Sequence, residues 1–381
     1  MIQNRKVLLI TNIPTPYRIP LFNVLHEELA RSGVAFKVVF GALGYARRQW
    51  KVELKDCTFP FDILSTLNLR FSDPEKSSFT YGGLFRVIKR EQPDVIITNA
   101  FSIATTKLWM RSFLHQTRYV IWSGAIQYPG LNMNSLRRWQ RKLLVRRARG
   151  FVAYGTRAQD YLVAQGAPRD RVNIGINTVD TTFFSRETER LKRSQPSRDD
   201  RKTILFVGHL VPRKGVDRLL KVVQLLAASR QDFILEIVGA GDDRPNLEWL
   251  ASDLGVCQYV KFLGFRQKDD IPLHMSRASC FVFPTNHDIW GLVLVEAMAA
   301  GLPCISSNSA GATCDLIHDG RTGFAVDFCD TELVAARINW LLDHPEQSEL
   351  MGQRAKKLID ETVTLNESAK GFVAAIERAL T

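Results

Sequence analysis

Short apolar runs alternate with amphipathic stretches of helical period along almost the whole chain. Lys6 to Thr11 reads as a buried strand; a proline-rich loop follows, then a helix from about Pro20 to Ser32. Phe36 to Phe40 is a second strand, residues 94–98 a third after a helix over about 83–91, Tyr119 to Trp122 a fourth and Gly150 to Tyr154 a fifth. Strands alternating with helices predict βαβ units and a mostly parallel sheet. The alternation lapses over residues 186–202, which are charged and poor in apolar positions and read as a linker. It then resumes. Thr203 to Val207, Ile234 to Val238, Tyr259 to Phe262, Cys280 to Phe283 and Pro303 to Ser306 read as strands. Helices are expected over Val216 to Ser229, Leu333 to Asp343, Ser348 to Ile359 and about Asn366 to Ala379.

The pattern predicts an α/β protein with two doubly wound, parallel-sheet, Rossmann-like domains facing a cleft. One is expected over residues 1–185 and the other over 203–360, with a helix in 361–381 packing back on the first. Parallel sheets take ligands at the carboxyl ends of their strands, so the loops leaving those ends are where chemistry is expected.

Composition narrows the class. Hydrophobic residues make up 45% and charged residues 24% of 381 residues, which excludes disorder, collagen and coiled coil. No run approaches the roughly 18 apolar residues of a membrane span, and Val7 to Ile10 is too short for a signal peptide. A cytoplasmic protein is the expectation. Six cysteines without a Cys-x-x-Cys pair fit reduced thiols rather than a zinc knot or disulfide framework. The net charge of +12 divides unevenly: residues 1–185 carry 27 Lys/Arg against 12 Asp/Glu, and residues 186–381 carry 24 against 27. The basic first half implies an anionic partner.

Three stretches carry candidate chemistry. Gly208-His209-Leu-Val-Pro-Arg213-Lys214-Gly215 lies between a strand and a helix, where close backbone approach and two cations would suit a diphosphate; a turn with two solvated cations is the alternative. It is not a Walker loop. Gly239-Ala240-Gly241 follows the next strand and is a weaker signal, lacking the rest of a dinucleotide fingerprint. In the third, Asp288 sits in a loop and Gly291 opens a helix that carries Glu296. The first-turn amides of Leu292 and Val293 could receive phosphate oxygens, Asp288 could accept from sugar hydroxyls and Glu296 from a ribose diol. A capping acid and a buried glutamate are the bland alternative, weakened by the cost of desolvating Glu296 without a partner.

Together these segments resemble the donor-binding half of the family 4 glycosyltransferases, retaining enzymes of the GT-B fold. The family's Glu-x7-Glu reads here as Asp288-x7-Glu296, its Lys-Gly as Lys214-Gly215, and its strand-end loop as Gly320-Arg-Thr-Gly323-Phe324. His209 stands where the family has an arginine, which Arg213 could replace, and Ile121-Trp122-Ser123-Gly124-Ala125 lacks the histidine many members carry there. The resemblance extends more loosely to Asn12-Ile-Pro-Thr-Pro-Tyr17-Arg18. It implies a hexosyltransferase that needs no metal or other cofactor, consistent with the missing Asp-x-Asp. Its donor would be a nucleoside diphosphate sugar, UDP-sugar slightly ahead of GDP-mannose. Asp288, Glu296, Arg213 and Lys214 would carry catalysis. Gly208, His209, Gly239, Gly241, Gly291, Leu292, Val293 and Glu296 would line the donor pocket.

For the first half, seven of the 13 residues from Arg137 to Arg149 are basic and none is acidic, around an apolar stripe of Leu136, Trp139, Leu143 and Leu144. Arg137, Arg138, Arg141, Lys142, Arg146 and Arg147 could lie on an anionic membrane, or form the solvated face of a core helix. No nucleic-acid module is evident. Arg18 could meet an acceptor phosphate or form an interdomain salt bridge. The expectation is a transferase acting at the inner face of the cell membrane on a lipid-linked or polysaccharide-precursor acceptor. The competing reading is a catalytically silent partner of a larger synthase.

Overall fold

The computed structural model describes residues 4–44, 52–65, 68–70, 77–128, 134–194 and 201–381. The chain divides into two compact units, residues 1–179 with 365–381, and residues 180–364.

In the first unit the strands are β1 (Lys6–Thr11), β2 (Ala35–Phe40), β3 (Phe61–Ile63), β4 (Asn68–Arg70), β5 (Ser77–Phe79), β6 (Val95–Asn99), β7 (Tyr119–Ser123), β8 (Gly150–Ala153) and β9 (Val172–Ile174). Its helices are α1 (Ile19–Arg31), α2 (Leu84–Glu91), α3 (Ile103–Arg111), α4 (Ser135–Arg147) and α5 (Thr156–Ala164). Seven strands form one sheet in the order β3-β2-β1-β6-β7-β8-β9, while β4 and β5 pair as a separate hairpin. Every pairing in the large sheet is parallel. β1 and β7 are buried almost throughout, as continuous apolar runs covered on both faces require.

The second unit opens with α6 (Thr181–Ser194) and continues through β10 (Lys202–Val207), α7 (Val216–Ala227), β11 (Phe233–Val238), α8 (Arg244–Asp253) and β12 (Val260–Gly264). It is completed by α9 (Ile271–Arg277), β13 (Ala278–Phe283), α10 (Leu292–Ala299), β14 (Cys304–Ser307), α11 (Thr313–Leu316), β15 (Gly323–Val326), α12 (Thr331–Asp343) and α13 (Pro345–Thr362). Its sheet has the order β12-β11-β10-β13-β14-β15, again all parallel. One face packs Ile204, Phe206, Leu235 and Val282 against Leu219 and Val223 of α7 and Val334 and Ile338 of α12. The chain then returns to the first unit as α14 (Leu365–Leu380), which packs on α1, β8 and β9.

The linker expected over 186–202 is corrected in part. Residues 186–194 are the second half of α6, and 195–200 lie outside the described residues. Phe184, Thr188 and Leu191 recur on one face and are buried as α6 packs on α9 and α10. Three apolar or small positions among charged neighbours sufficed for a helix.

Candidate functional site

In the second unit the chain builds outward from β10 to β11 and β12, then crosses back to β13 on the other side. The loops after β10 and β13 therefore part at the reversal of strand order, the point where open α/β sheets take their ligands. Gly215 ends the β10 loop with φ +68°, and a Cβ there would lie 2.2 Å from the Pro284 carbonyl oxygen. Only glycine lets the two loops close on each other. They are fastened by the Asn286 N–H and the Thr285 hydroxyl, which donate to the Arg213 carbonyl at 2.8 and 3.1 Å.

This fastening brings together residues 74 positions apart. The Lys214 ammonium donates to Asp288 Oδ2 at 2.5 Å, and an Arg213 guanidinium nitrogen lies 3.8 Å from the same oxygen. Lys214 is buried and sits 5.1 Å from the centre of the Phe283 ring. Burial by itself would raise the Asp288 carboxyl, but Lys214, the Trp290 N–H and Arg213 outweigh it and hold the group below its ordinary value. Asp288 is thus an ionised carboxylate already committed to Lys214. The β14 loop braces it from behind: Gly311 and Ala312 donate to the Asp288 and Trp290 carbonyls at 2.9 and 3.1 Å.

Gly291 turns the chain into α10 with φ +106°, and a Cβ there would meet the Phe283 ring at 2.5 Å. The Leu292 and Val293 N–H groups at the helix start donate to nothing among the described residues. Glu296 follows in the second turn, partly buried. No hydrogen bond or ion pair reaches its carboxyl among the described residues, and burial pushes it up to about 7 against the opposing charge of Lys268. One edge of the sheet therefore offers two cations, open helix amides and an uncommitted carboxyl that can accept from hydroxyls.

The remaining predicted residues divide. At Gly239 and Gly241 the chain itself packs closely: Cβ atoms there would lie 1.8 Å from the Gly208 carbonyl oxygen and 2.0 Å from that of Leu210. Gly208 thus serves as the backbone against which the β11 loop rests. The His209 ring is clipped to the Ala240 carbonyl at 2.5 Å; since that oxygen only accepts, Nδ1 carries the proton.

On α4, Arg137, Arg138, Lys142 and Arg146 are exposed, together with Leu136 and Trp139. Arg147 is exposed as well, while Arg141 is half-buried. Arg141 bonds the Tyr161 hydroxyl and stacks 4.8 Å from the Phe101 centroid, while Arg147 stacks on Phe113 at 3.7 Å and donates to the Ser112 carbonyl. Arg18 forms no ion pair among the described residues; it donates to Thr11 Oγ1 and the Tyr154 hydroxyl and stacks on Trp122.

Sequence reasoning missed Lys268 beside Glu296, and Trp122 and Tyr154 around Arg18. Nothing in the Gln267-Lys268-Asp269-Asp270 turn ties it to α10. Trp122 and Tyr154, however, stand at the carboxyl ends of β7 and β8, where parallel strands present side chains to ligands.

Among the described residues no group of three His, Cys, Asp or Glu could hold a metal ion, and no helix is long and apolar enough to cross a membrane. A family model described as "Glycosyl transferase 4-like domain" matches residues 22–175, and one described as "Glycosyl transferases group 1" matches 187–358. The chain is 33% identical over 183 residues to a GDP-mannose-dependent α-(1-6)-phosphatidylinositol monomannoside mannosyltransferase of Mycolicibacterium smegmatis, covering 46% of this chain and 48% of that protein. It is 28% identical over 249 residues to the α-D-kanosaminyltransferase of Streptomyces kanamyceticus, covering 64% of each. These matches span about half to under two thirds of the curated relatives. The crystal structure of Anabaena HepE in complex with UDP and glucose superposes with a TM-score of 0.77 at 19% identity, over 98% of this chain and 100% of that one. Two doubly wound parallel sheets, a family model on each and a strand-end site in the second place the chain in the GT-B glycosyltransferases of the family 4 type.

Proposed function

We propose that this chain is a retaining glycosyltransferase that moves a hexose from a nucleoside diphosphate sugar to a lipid-linked or polysaccharide-precursor acceptor, without a metal ion or other cofactor. The observation that carries the proposal is the Glu296 carboxyl, which has no hydrogen-bond or ion-pair partner among the described residues yet stands partly buried one turn behind open helix amides, on the helix that follows the Asp288 loop. The diphosphate is received by Arg213, Lys214 and the Leu292 and Val293 N–H groups, and the ribose diol donates to Glu296. As the glycosidic bond to the diphosphate breaks, negative charge grows on the leaving oxygens, and these fixed donors stabilise it more than they do the intact donor. Asp288, anchored by Lys214, accepts from the sugar hydroxyls. The leaving phosphate takes the proton of the attacking hydroxyl, which arrives on the same face.

UDP-sugar is the donor we favour. The mycobacterial relative is named for GDP-mannose and the Anabaena structure holds UDP, so both bases belong in the test. We also propose that the enzyme works at the inner face of the cell membrane, held by Arg137, Arg138, Lys142 and Arg146 with Leu136 and Trp139 at the lipid surface.

The test is thermal stabilisation by UDP, GDP, ADP, TDP and CMP, with and without EDTA. One diphosphate raising the midpoint by several degrees, unchanged by EDTA and lost in Glu296→Ala, is the expected result. A folded protein that no nucleotide stabilises would favour the silent-partner reading, to which the commitment of Asp288 to Lys214 and of His209 to Ala240 also speaks.

A further inference from the structure

The first unit holds a charge that the donor site does not explain. Arg18 leaves the β1 loop and lies 4.5 Å over the Trp122 ring, with one nitrogen donating to Thr11 Oγ1 at 3.2 Å and another to the Tyr154 hydroxyl at 2.7 Å. A guanidinium remains protonated in proteins and only donates. All its contacts here are neutral: two hydroxyls and the faces of Trp122 and Tyr17. No carboxylate pairs with it among the described residues, and its Nε is buried without an acceptor. A cation taken from water normally demands a counter-charge.

Two more polar groups at the same strand ends are unpartnered. They are the Trp122 indole N–H, in a residue 1% exposed, and the Thr15 hydroxyl, in a residue 4% exposed. Guanidinium and indole can only donate, and the threonine hydroxyl can. The surroundings hold this set firmly. Tyr154 packs so closely on Gly124 that a Cβ there would fall 2.3 Å away, and Trp122 is wedged between Phe22 and Phe372 at 6.1 and 5.1 Å. A partly buried cation with unmet donors on the same and neighbouring residues is the complement of a ligand that only accepts.

We propose that the loop after β1 and the ends of β7 and β8 form an oxyanion subsite, in which Arg18 binds a phosphate or carboxylate carried by the acceptor. The assignment to the acceptor rests on the transfer reaction proposed above; the anion site itself does not. The ligand is recognised by a planar fork that matches two oxygens, and the aromatic ring beneath that fork keeps it flat.

The experiment titrates the full-length protein with inorganic phosphate, with glucuronate and, at matched ionic strength, with chloride, following the thermal midpoint. It is run in an Arg213→Met, Lys214→Met, Asp288→Asn background, which removes both donor-site cations, so that any signal left at the helix amides is recognised by its survival in Arg18→Met. Saturable stabilisation by phosphate or by glucuronate is expected, and which of the two acts identifies the acceptor's anionic group. Adding Arg18→Met should weaken that binding at least about tenfold. Without anion, that change should not lower the midpoint, because it removes a partly buried cation that has no counter-charge among the described residues while keeping the stacked stem. Tyr154→Phe keeps the charge and should retain the saturable response, so it serves if Arg18→Met does not fold. Equal stabilisation by chloride, no response to any anion, or the same phosphate response after Arg18→Met would overturn the proposal. Nucleoside diphosphate binding is lost through Glu296 and not through Arg18, so this failure is distinguishable from failure of the donor reading.

Discussion

Glu296 gives the sharpest quantitative test. Its carboxyl ionises near 7 in the folded chain against an ordinary value of 4.5, because partial burial penalises the charge more than Lys268 relieves it. Moving a carboxyl that far corresponds to about 3 kcal/mol. The sign follows from proton counting. Between the two values the unfolded chain has lost the proton that the folded chain keeps, so stability falls as pH rises through this window. Glu296→Gln keeps the shape and the neutral form at every pH. The variant should therefore match wild type near pH 4 and exceed it by about 3 kcal/mol at pH 8–9, the gap opening mainly between pH 5 and 7. For a unit of this size that gap is about 6–12 °C in midpoint. Urea titrations of both proteins at a series of pH values measure it directly, and all other titrating groups cancel in the difference. A gap that stays flat with pH, or that favours wild type at high pH, refutes the account of an uncommitted, half-desolvated carboxyl. The same variant should lose nucleoside diphosphate affinity, so its gain in stability would come at the expense of binding, as expected of a site kept unsatisfied for its ligand.

Other outcomes follow from the same loops. Lys214→Met strands Asp288 in a largely buried position and should cost about 3 kcal/mol in urea unfolding, most of it recovered by adding Asp288→Asn. Gly239→Ala should cost well over about 1 kcal/mol, since its Cβ would overlap the Gly208 carbonyl oxygen. Gly255→Ala, at φ +68° with nothing within 4 Å, should show only the backbone strain of about 1 kcal/mol. Changing Arg137, Arg138 and Lys142 together to glutamate should abolish co-sedimentation with phosphatidylglycerol vesicles at low salt without moving the thermal midpoint, each cation being worth about 1 kcal/mol at the surface. Arg141→Glu, by contrast, should lower the midpoint, because that side chain stacks on Phe101 and bonds Tyr161.

The long, continuous apolar strands were legible because a buried parallel strand writes itself as an unbroken run: Val7 to Ile10, Ile234 to Val238 and Cys280 to Phe283 all appear where the pattern places them. The short edge strands β3 and β9 were not, since three residues carry too little periodicity. The Asp288 and Glu296 segment was legible as a unit because strand, loop, glycine and helix follow one another within it. The pairing of Lys214 with Asp288 was not, because it depends on how two loops 74 residues apart dock across a strand-order reversal. Gly239 and Gly241 show a role in chain packing that the sequence did not reveal, for a physical reason. A glycine marks a close approach of something to the backbone, and sequence alone does not say whether that is a ligand or another stretch of chain. Arg18 was visible as a cation at a strand end, but its lack of a counter-charge is a property of its surroundings.

The placement of α14 has a consequence for how the protein is made. Gly371 lies so close to the β9 end that a Cβ would fall 2.2 Å from the Ile174 carbonyl, and Phe372 covers Gly175 and Trp122. These contacts seal the first unit with residues that a ribosome supplies only after the whole of the second. During synthesis the second unit can therefore reach its native packing first, while the earlier sheet waits with the apolar groove between α1, β8 and β9 uncovered. A nascent chain stalled within residues 180–364 would carry that groove open, as a surface for chaperones to hold or for neighbouring chains to occupy.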